Sequence, residues 1–303
     1  MKVALTGATG FLGRPLVAHL YALGHERLVL SRDPEKARRV LTPNVAVAPL
    51  EPLSPCDAVI HLAGEPVVGL WTPWKRRAIL ESRVAGTRRL IGAMRDLTPP
   101  PRILLCASAI GIYGHRPGEQ LAESAAPDPR DRFRAQVCRA WEAAASEAQE
   151  LGTRVTALRL GNVMDPSGGF LGGLLPLFQR GACFVLGDPE AQVSWISLED
   201  AVRLIGFALE NDAIRGPLNV VSPATVSQRS LAQTLAARLG KKVRGNLPAP
   251  ALRGLLGEFS AALLDDQNVT PERALAAGFH FTHPAWRSCL DAMFGSADRV
   301  LPR

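Results

Sequence analysis

Three glycines lie near the start of the chain at equal spacing, Gly7, Gly10 and Gly13. Their neighbours give that spacing a chemical meaning. Val3, Ala4 and Leu5 precede them as a short apolar run, and Leu12, Leu16, Val17, Leu20 and Leu23 follow at helical spacing. A buried strand, a glycine turn and a helix in that order cradle an anion. The glycines let the backbone turn and let a pyrophosphate approach, and the unpaired N–H groups of the first helical turn face it. The spacing is G-x-x-G-x-x-G, so the strand before it and the helix after it carry the argument rather than the glycines alone. Thr9, Phe11 and Leu12 lie in the turn and are expected at the dinucleotide.

Residues 27–32 predict a second strand, whose end selects between the two nicotinamide cofactors. An acid there would bind the ribose 2′-hydroxyl and repel a 2′-phosphate. This chain has Ser31 and Arg32, a hydroxyl and a guanidinium that suit a phosphate dianion, which favours NADP. Asp33 follows and is the alternative, as a ribose reader. Asp57-Ala-Val-Ile-His-Leu-Ala-Gly64 predicts a buried strand. Its end, Leu62, Ala63 and Gly64, is small or apolar and lets adenosine and ribose pack closely. Ala107 and Val163 fall near the ends of two further strands, over 102–109 and 154–160, and belong to the same edge. His61, inside an apolar run, is expected to be a packed, hydrogen-bonded side chain.

These residues need a scaffold, and the rest of the chain supplies one. Strands and helices alternate through the first half, with helices expected over 71–95 and 133–150. That alternation predicts an α/β protein with a doubly wound parallel sheet of Rossmann type. The pattern changes from Asp165. Residues 166–173 look flexible, 174–180 a short helix, and 279–284 a terminal extended segment. Ser197 and Asp200 have capping spacing for a helix over 198–209, Ser227 caps the next, and Thr270 with Pro271 opens a late one. The expected organisation is a dinucleotide-binding domain, 1–165 and 191–222, and a smaller α/β substrate lobe, 166–190 and 223–303. Residues 115–131 are polar and proline-rich and are expected as a loop over the site.

Composition excludes several classes. The formal net charge is +7, but the arginines are dispersed, without a basic block or interleaved aromatics, so nucleic acid is not an expected partner. The same charge favours an anionic small-molecule substrate. Five cysteines without a C-x-x-C pair argue against zinc or a disulfide framework. No apolar run is long enough to span a bilayer. With no signal peptide ahead of the first strand, a cytoplasmic location is expected.

Several motifs resemble the extended, epimerase/dehydratase branch of the short-chain dehydrogenases/reductases: Thr6-Gly-Ala-Thr-Gly-Phe-Leu-Gly13, His61-Leu-Ala-Gly64, Tyr113-Gly114 and Leu158-Arg-Leu-Gly-Asn-Val163. Others are similar to the YfcH-type epimerase-family proteins, which carry a C-terminal domain of unknown function. These are Ser82-Arg-Val-Ala-Gly-Thr87, Trp141-Glu142, Ser194-Trp-Ile-Ser-Leu-Glu-Asp200, the Leu-Gly-Glu of 256–258, and Ala276-Ala-Gly-Phe-His-Phe281 with Pro284. The resemblance implies an NADP-binding protein of oxidoreductase or epimerase-like chemistry, with Arg32 and Arg83 helping to bind the cofactor. Extended members are often dimers.

The same resemblance exposes a departure. Chemistry in the superfamily rests on Tyr-x-x-x-Lys with a nearby Ser or Thr, and a glutamate commonly lies four residues beyond the lysine. Counted from Glu142, the lysine position holds Cys138 and the tyrosine position Arg134; the hydroxyl position is Ala109, with Ser108 beside it. Tyr21 and Tyr113 are the only tyrosines. Arg134 cannot act as a base near neutral pH. The proton work therefore moves, with Ser108 and Tyr113 as nearest candidates and His115, Glu123 and Asp128 able to reach in from the loop. The missing triad also motivates an alternative: an NADP-dependent regulator or scaffold without turnover. Relatives of this type are sometimes labelled as cell-division inhibitors.

Overall fold

The computed structural model describes residues 1–41, 45–130 and 132–295. Asp131 of the expected loop and residues 296–303 of the expected lobe lie outside the described residues. The apolar runs form a seven-stranded, all-parallel sheet. Its members are β1 (Lys2–Thr6), β2 (Glu26–Leu30), β3 (Ala46–Ala48), β4 (Ala58–His61), β5 (Ile103–Ala109) and the strands Arg154–Leu160 and Gly216–Val220. From one edge the order is Gly216–Val220, Arg154–Leu160, β5, β4, β1, β2, β3. The chain runs outward from β1 to β3, then returns to place β4 on the other side of β1. That reversal opens a crevice at the carboxyl ends of β1 and β4, the ligand position of doubly wound sheets.

Helices cover both faces, because strands buried on both sides are continuous hydrophobic runs. Leu16, Val17 and Leu20 of α1 (Gly13–Ala22) pack with Ala201, Leu204, Ile205 and Ala208 of α6 (Leu198–Glu210) on one face. Leu90, Ile91 and Met94 of α3 (Pro73–Arg95) pack with Trp141 and Ala145 of α4 (Phe133–Ser146) on the other. Fully burying each Leu or Ile contributes roughly 1.5–3 kcal/mol, so the two cores fix the sheet on which the crevice is built.

A separate apolar cluster joins Leu171, Leu175 and Phe178 of α5 (Gly169–Gln179) to Leu231 and Leu235 of α7 (Gln228–Arg238) and to Trp286 and Leu290 of the helix Trp286–Phe294. The C-terminal chain is not confined to it, since Ala274 and Phe279 pack in the main-sheet core.

Three local expectations change. Residues 169–173 are not flexible but form the first turns of α5, ordered by burial of Leu171 and by the Phe11 ring against Gly168 and Gly169. Thr270 does not cap the late helix. That helix is Glu272–Ala276 with Pro271 at its N-cap position, while the Thr270 carbonyl accepts from Asn219 Nδ2 at 2.9 Å. Residues 279–284 lie outside any strand or helix, and buried Asp200 holds them by accepting from the N–H groups of Thr282 and His283 at 2.9 and 2.8 Å. The 115–130 segment is packed rather than a free flap: its strand Gln120–Leu121 pairs with Asn268–Val269, and Glu123 and Asp128 are buried. Ser197 and Ser227 cap α6 and α7 as the spacing predicts. No helix among the described residues is long and apolar enough to cross a membrane.

Candidate active site

The glycine turn links β1 to α1 at the switch point, and its three glycines do different work. Gly7 has φ +72°, and a Cβ there would meet the Ala63 nitrogen at 2.8 Å. A Cβ on Gly13 would press into the Gly7 carbonyl oxygen. Both are needed for backbone to pass backbone. Gly10 is exposed, and its open side has only the Gly7 oxygen near, at 3.2 Å. The bond from Gly10 N–H to Gly7 carbonyl closes the turn at 3.0 Å, while the N–H groups of Phe11 and Leu12 make no bond among the described residues. Thr9 is half-buried, and its carbonyl accepts from Arg14 Nε at 2.9 Å. Arg14 is a residue the sequence reasoning passed over. Its signal was available: a cation in the first turn of a helix opposes the helix dipole unless an anion is to be met there.

At the end of β2 the two candidate readers separate. The Ser31 hydroxyl donates to the Asp33 carbonyl at 2.9 Å, and the Asp33 carboxylate accepts from Lys36 N–H at 3.0 Å as the N-cap of α2 (Pro34–Val40). Arg32 is exposed, with no partner among the described residues. Across the crevice, Leu62 and Ala63 are held to Thr6 by their N–H groups, the first to its carbonyl at 3.2 Å and the second to its hydroxyl at 3.3 Å. The Thr6 hydroxyl also shares a 2.6 Å hydrogen bond with His61 Nδ1. His61 is the packed side chain expected, and burial lowers its pKa to about 4, helped by the Arg83 charge.

Arg83 does not face solvent. It lies half-buried over the Trp141 ring, 4.8 Å from its centroid, and donates to the carbonyls of Glu65 and Ile79 at 3.0 and 3.2 Å. Its guanidinium presses on Gly64, where a Cβ would sit 3.2 Å from Cζ. Ala107 is buried below the crevice, and Val163 is half-buried beside α5.

Ser108 and Tyr113 are brought into one network, though an enclosed one. Ser108 is 3% exposed and donates to Glu142 Oε1 at 2.7 Å. Glu142 accepts from Arg159 Nε and Nη2, both at 2.9 Å. Arg159 Nη1 donates to the Tyr113 hydroxyl at 2.8 Å, which donates to Asn219 Oδ1 at 2.7 Å. The Tyr113 side chain is fully buried, and burial raises its pKa. Burial opposes the Arg159 charge, but the Glu142 carboxylate outweighs it and holds the guanidinium ionised. Of the loop candidates, Glu123 is buried, accepts from Asn219 N–H at 3.0 Å and is pushed up by burial. Burial also works against the Asp128 carboxylate, but Arg132 Nε at 2.7 Å keeps it low, and His115 Nδ1 accepts from Asp266 N–H at 3.0 Å.

The tyrosine and lysine positions lie on the first turns of α4. Arg134 pairs with Asp265 from the C-terminal chain. Cys138, one turn on, is buried, and burial pushes its thiol up to about 11; Arg134 and Arg83 act on it in the opposite sense. Beside Arg134 opens a cavity of about 370 Å³ between α4 and α8 (Ala249–Leu256). Trp71, Phe133 and Arg253 line it, none of them singled out by the sequence for this role.

A doubly wound parallel sheet with a glycine turn at its switch point defines a dinucleotide-binding protein of Rossmann type. Comparison with known proteins narrows the class. The profile of the NAD dependent epimerase/dehydratase family matches residues 3–221, and a domain of unknown function (DUF1731) matches 247–293. The chain belongs to the NAD-dependent epimerase/dehydratase family. The epimerase family protein SDR39U1 homolog, chloroplastic, of Arabidopsis thaliana is 34% identical over 97% of this chain and 86% of its own length. The epimerase family protein YfhF of Bacillus subtilis is 32% identical over 93% of this chain and 94% of its own. The crystal structure of human epimerase family protein SDR39U1 with NADPH superposes with a TM-score of 0.86 at 28% identity, covering 99% of this chain and all of that one.

Proposed function

We propose that the chain binds NADP(H) and acts as an oxidoreductase or epimerase-like enzyme on a small-molecule substrate. The observation that carries the cofactor choice is at the end of β2: Arg32 is exposed and unpartnered, while the Asp33 carboxylate is engaged as a helix cap. A free guanidinium there meets a 2′-phosphate, and the acid beside it is engaged as the helix cap rather than offered to a ribose hydroxyl. The human relative's structure with NADPH supports the same choice.

The residues present fit such a cofactor. The open side of Gly10 admits a pyrophosphate, and the free N–H groups of Phe11 and Leu12 point to the same place. Gly7 and Gly13 hold the turn, Arg32 meets the 2′-phosphate while Ser31, bonded to the Asp33 backbone, shapes the loop beside it, and Leu62, Ala63, Gly64, Ala107 and Val163 form the walls. Bound there, the nicotinamide would supply or accept the two electrons of the reaction. Arg83 stands where it can replace the charge lost at Cys138, because its side chain lies between Gly64 and the Cys138 thiol. Arg134, paired with Asp265, can offer its remaining N–H groups to a substrate oxygen without exchanging a proton. Ser108 and Tyr113 act as positioning groups that fix Glu142 and Arg159 beneath the site.

The test is a titration with NADPH and NADH followed by nicotinamide fluorescence. NADPH should bind more tightly, a carbonyl substrate should oxidise it with loss of the nicotinamide fluorescence, and an epimerised nucleotide sugar, which returns the hydride, is read by product analysis. Equal binding of both cofactors would remove the assignment of Arg32. One observation favours a second reading, a regulator or scaffold that binds NADPH without turnover: no side chain at positions 134 and 138 can exchange a proton near neutral pH. Tight NADPH binding with no turnover on any substrate would select it.

A further inference from the structure

The cavity beside Arg134 carries more than its position. Its apolar wall is Trp71, whose ring meets Phe133 edge-on at 5.4 Å and Phe259 at 6.3 Å. Its charged wall is unbalanced. Arg134 is neutralised by Asp265, Arg132 by Asp128 at 2.7 Å and by Asp265 at 3.6 Å, and Glu258 by Arg76 at 2.9 Å. Four guanidinium groups thus stand in or against the cavity with three carboxylates, and the odd one is Arg253, which has no partner among the described residues. Arg132 Nη2 does not add to this excess, for it is buried against Gly114. The cavity adjoins the cofactor crevice through a short chain of neighbours, from Gly64 to Arg83, Cys138 and Arg134.

We infer that this cavity binds a small organic anion, a carboxylate or phosphate ester on a flat apolar body, with Arg253 meeting the charge and Trp71 the body. The inference deepens the proposed function by naming the substrate class, and it rests on that reading only for calling the anion a substrate. A neutral ligand would cover Arg253 and leave its guanidinium unsatisfied, which costs free energy. A cation would meet the excess positive charge. At about 370 Å³ the cavity is near the lower end of the roughly 300–1,000 Å³ of ligand pockets, so the body is small.

The experiment titrates phenyl phosphate, benzoate, benzyl alcohol and benzamidine into the full chain by calorimetry, with NADPH affinity measured on the same preparation. Phenyl phosphate and benzoate should bind about tenfold or more tightly than benzyl alcohol, and benzamidine weakest. In Arg253→Glu the anions should lose about tenfold or more in affinity while NADPH affinity holds, and Trp71→Ala should weaken anions and alcohol alike. Equal binding of benzoate and benzyl alcohol, no binding of either anion, or undiminished anion binding by Arg253→Glu would each overturn the inference. Anion selectivity without NADPH binding would leave the cavity standing and remove the cofactor reading. NADPH binding without anion selectivity would do the reverse.

Discussion

The glycine cradle and the cavity beside Arg134 are built by opposite means. The cradle is backbone: a strand, a turn closed by Gly10 and Gly7, and N–H groups that no side chain can replace. The proposed reaction centre is side chain: Arg134, Arg83 and Arg253 come from three helices, with Arg134 held by Asp265 and Arg83 over the Trp141 ring. Backbone geometry survives any substitution that respects the glycines, whereas side-chain chemistry can be exchanged wholesale. That contrast explains how a complete cradle coexists with a cysteine and an arginine at the lysine and tyrosine positions.

The strongest challenge to the contrast is to break the scaffold beneath the side-chain half. Glu142→Ala should leave Arg159 buried and unpaired, at a cost of about 3–5 kcal/mol by denaturant melting. A loss below about 1 kcal/mol would mean that water or Glu123 takes over. The backbone half has its own break point. Gly13→Ala drives a Cβ into the Gly7 carbonyl, and should cost about 3 kcal/mol and abolish NADPH binding. Gly10→Ala, with one neighbour at 3.2 Å, should fold nearly as well and lose affinity alone. If both variants behave alike, the division of labour among the glycines is not as described.

Acid tests the strand edge that the two halves share. Burial depresses the folded-state pKa of His61 to about 4, below the value of 6.5 for a free histidine. Between those values the unfolded chain takes a proton that the native chain refuses. The stability is therefore complete above pH 6.5 and falls as pH drops to about 4, by about 3 kcal/mol. His61→Asn should flatten that part of the stability–pH profile; an unchanged slope would assign it to other groups.

Two smaller effects separate the neighbours at the end of β2. Arg32→Asp should cost NADPH binding about 1.5–3 kcal/mol, roughly ten- to a hundredfold, while NADH changes little. Asp33→Ala should cost about 1 kcal/mol of stability through loss of the α2 cap and leave the ratio of NADPH to NADH affinity unchanged. A fall in NADH affinity in that variant would restore Asp33 as a ribose reader.

Legibility in the sequence followed the same divide. The strand, glycine turn and helix were readable because their residues are contiguous and each local preference agrees with the fold. The Ser197 and Ser227 caps were readable for the same reason. Thr270 was misleading because Asn219, from a distant strand, claims its carbonyl and fixes the turn. The glycines of 168–173 suggested flexibility because their partner, the Phe11 ring, lies far away in the chain. The proline-rich loop suggested solvent exposure because nothing local reveals the strand at 268–269 that pairs with it.

The sequence by itself determined the doubly wound sheet, the cradle and the absence of the tyrosine–lysine pair, since each is a matter of residue type and local order. Only the tertiary structure decided that Asp33 is occupied while Arg32 is free, that Tyr113 and Ser108 are sealed into a network, and that Trp71, Arg134 and Arg253 share a cavity. The physical reason is that a hydrogen bond or an ion pair depends on the distance between two side chains. Packing of the whole chain sets that distance, and neither residue carries it alone.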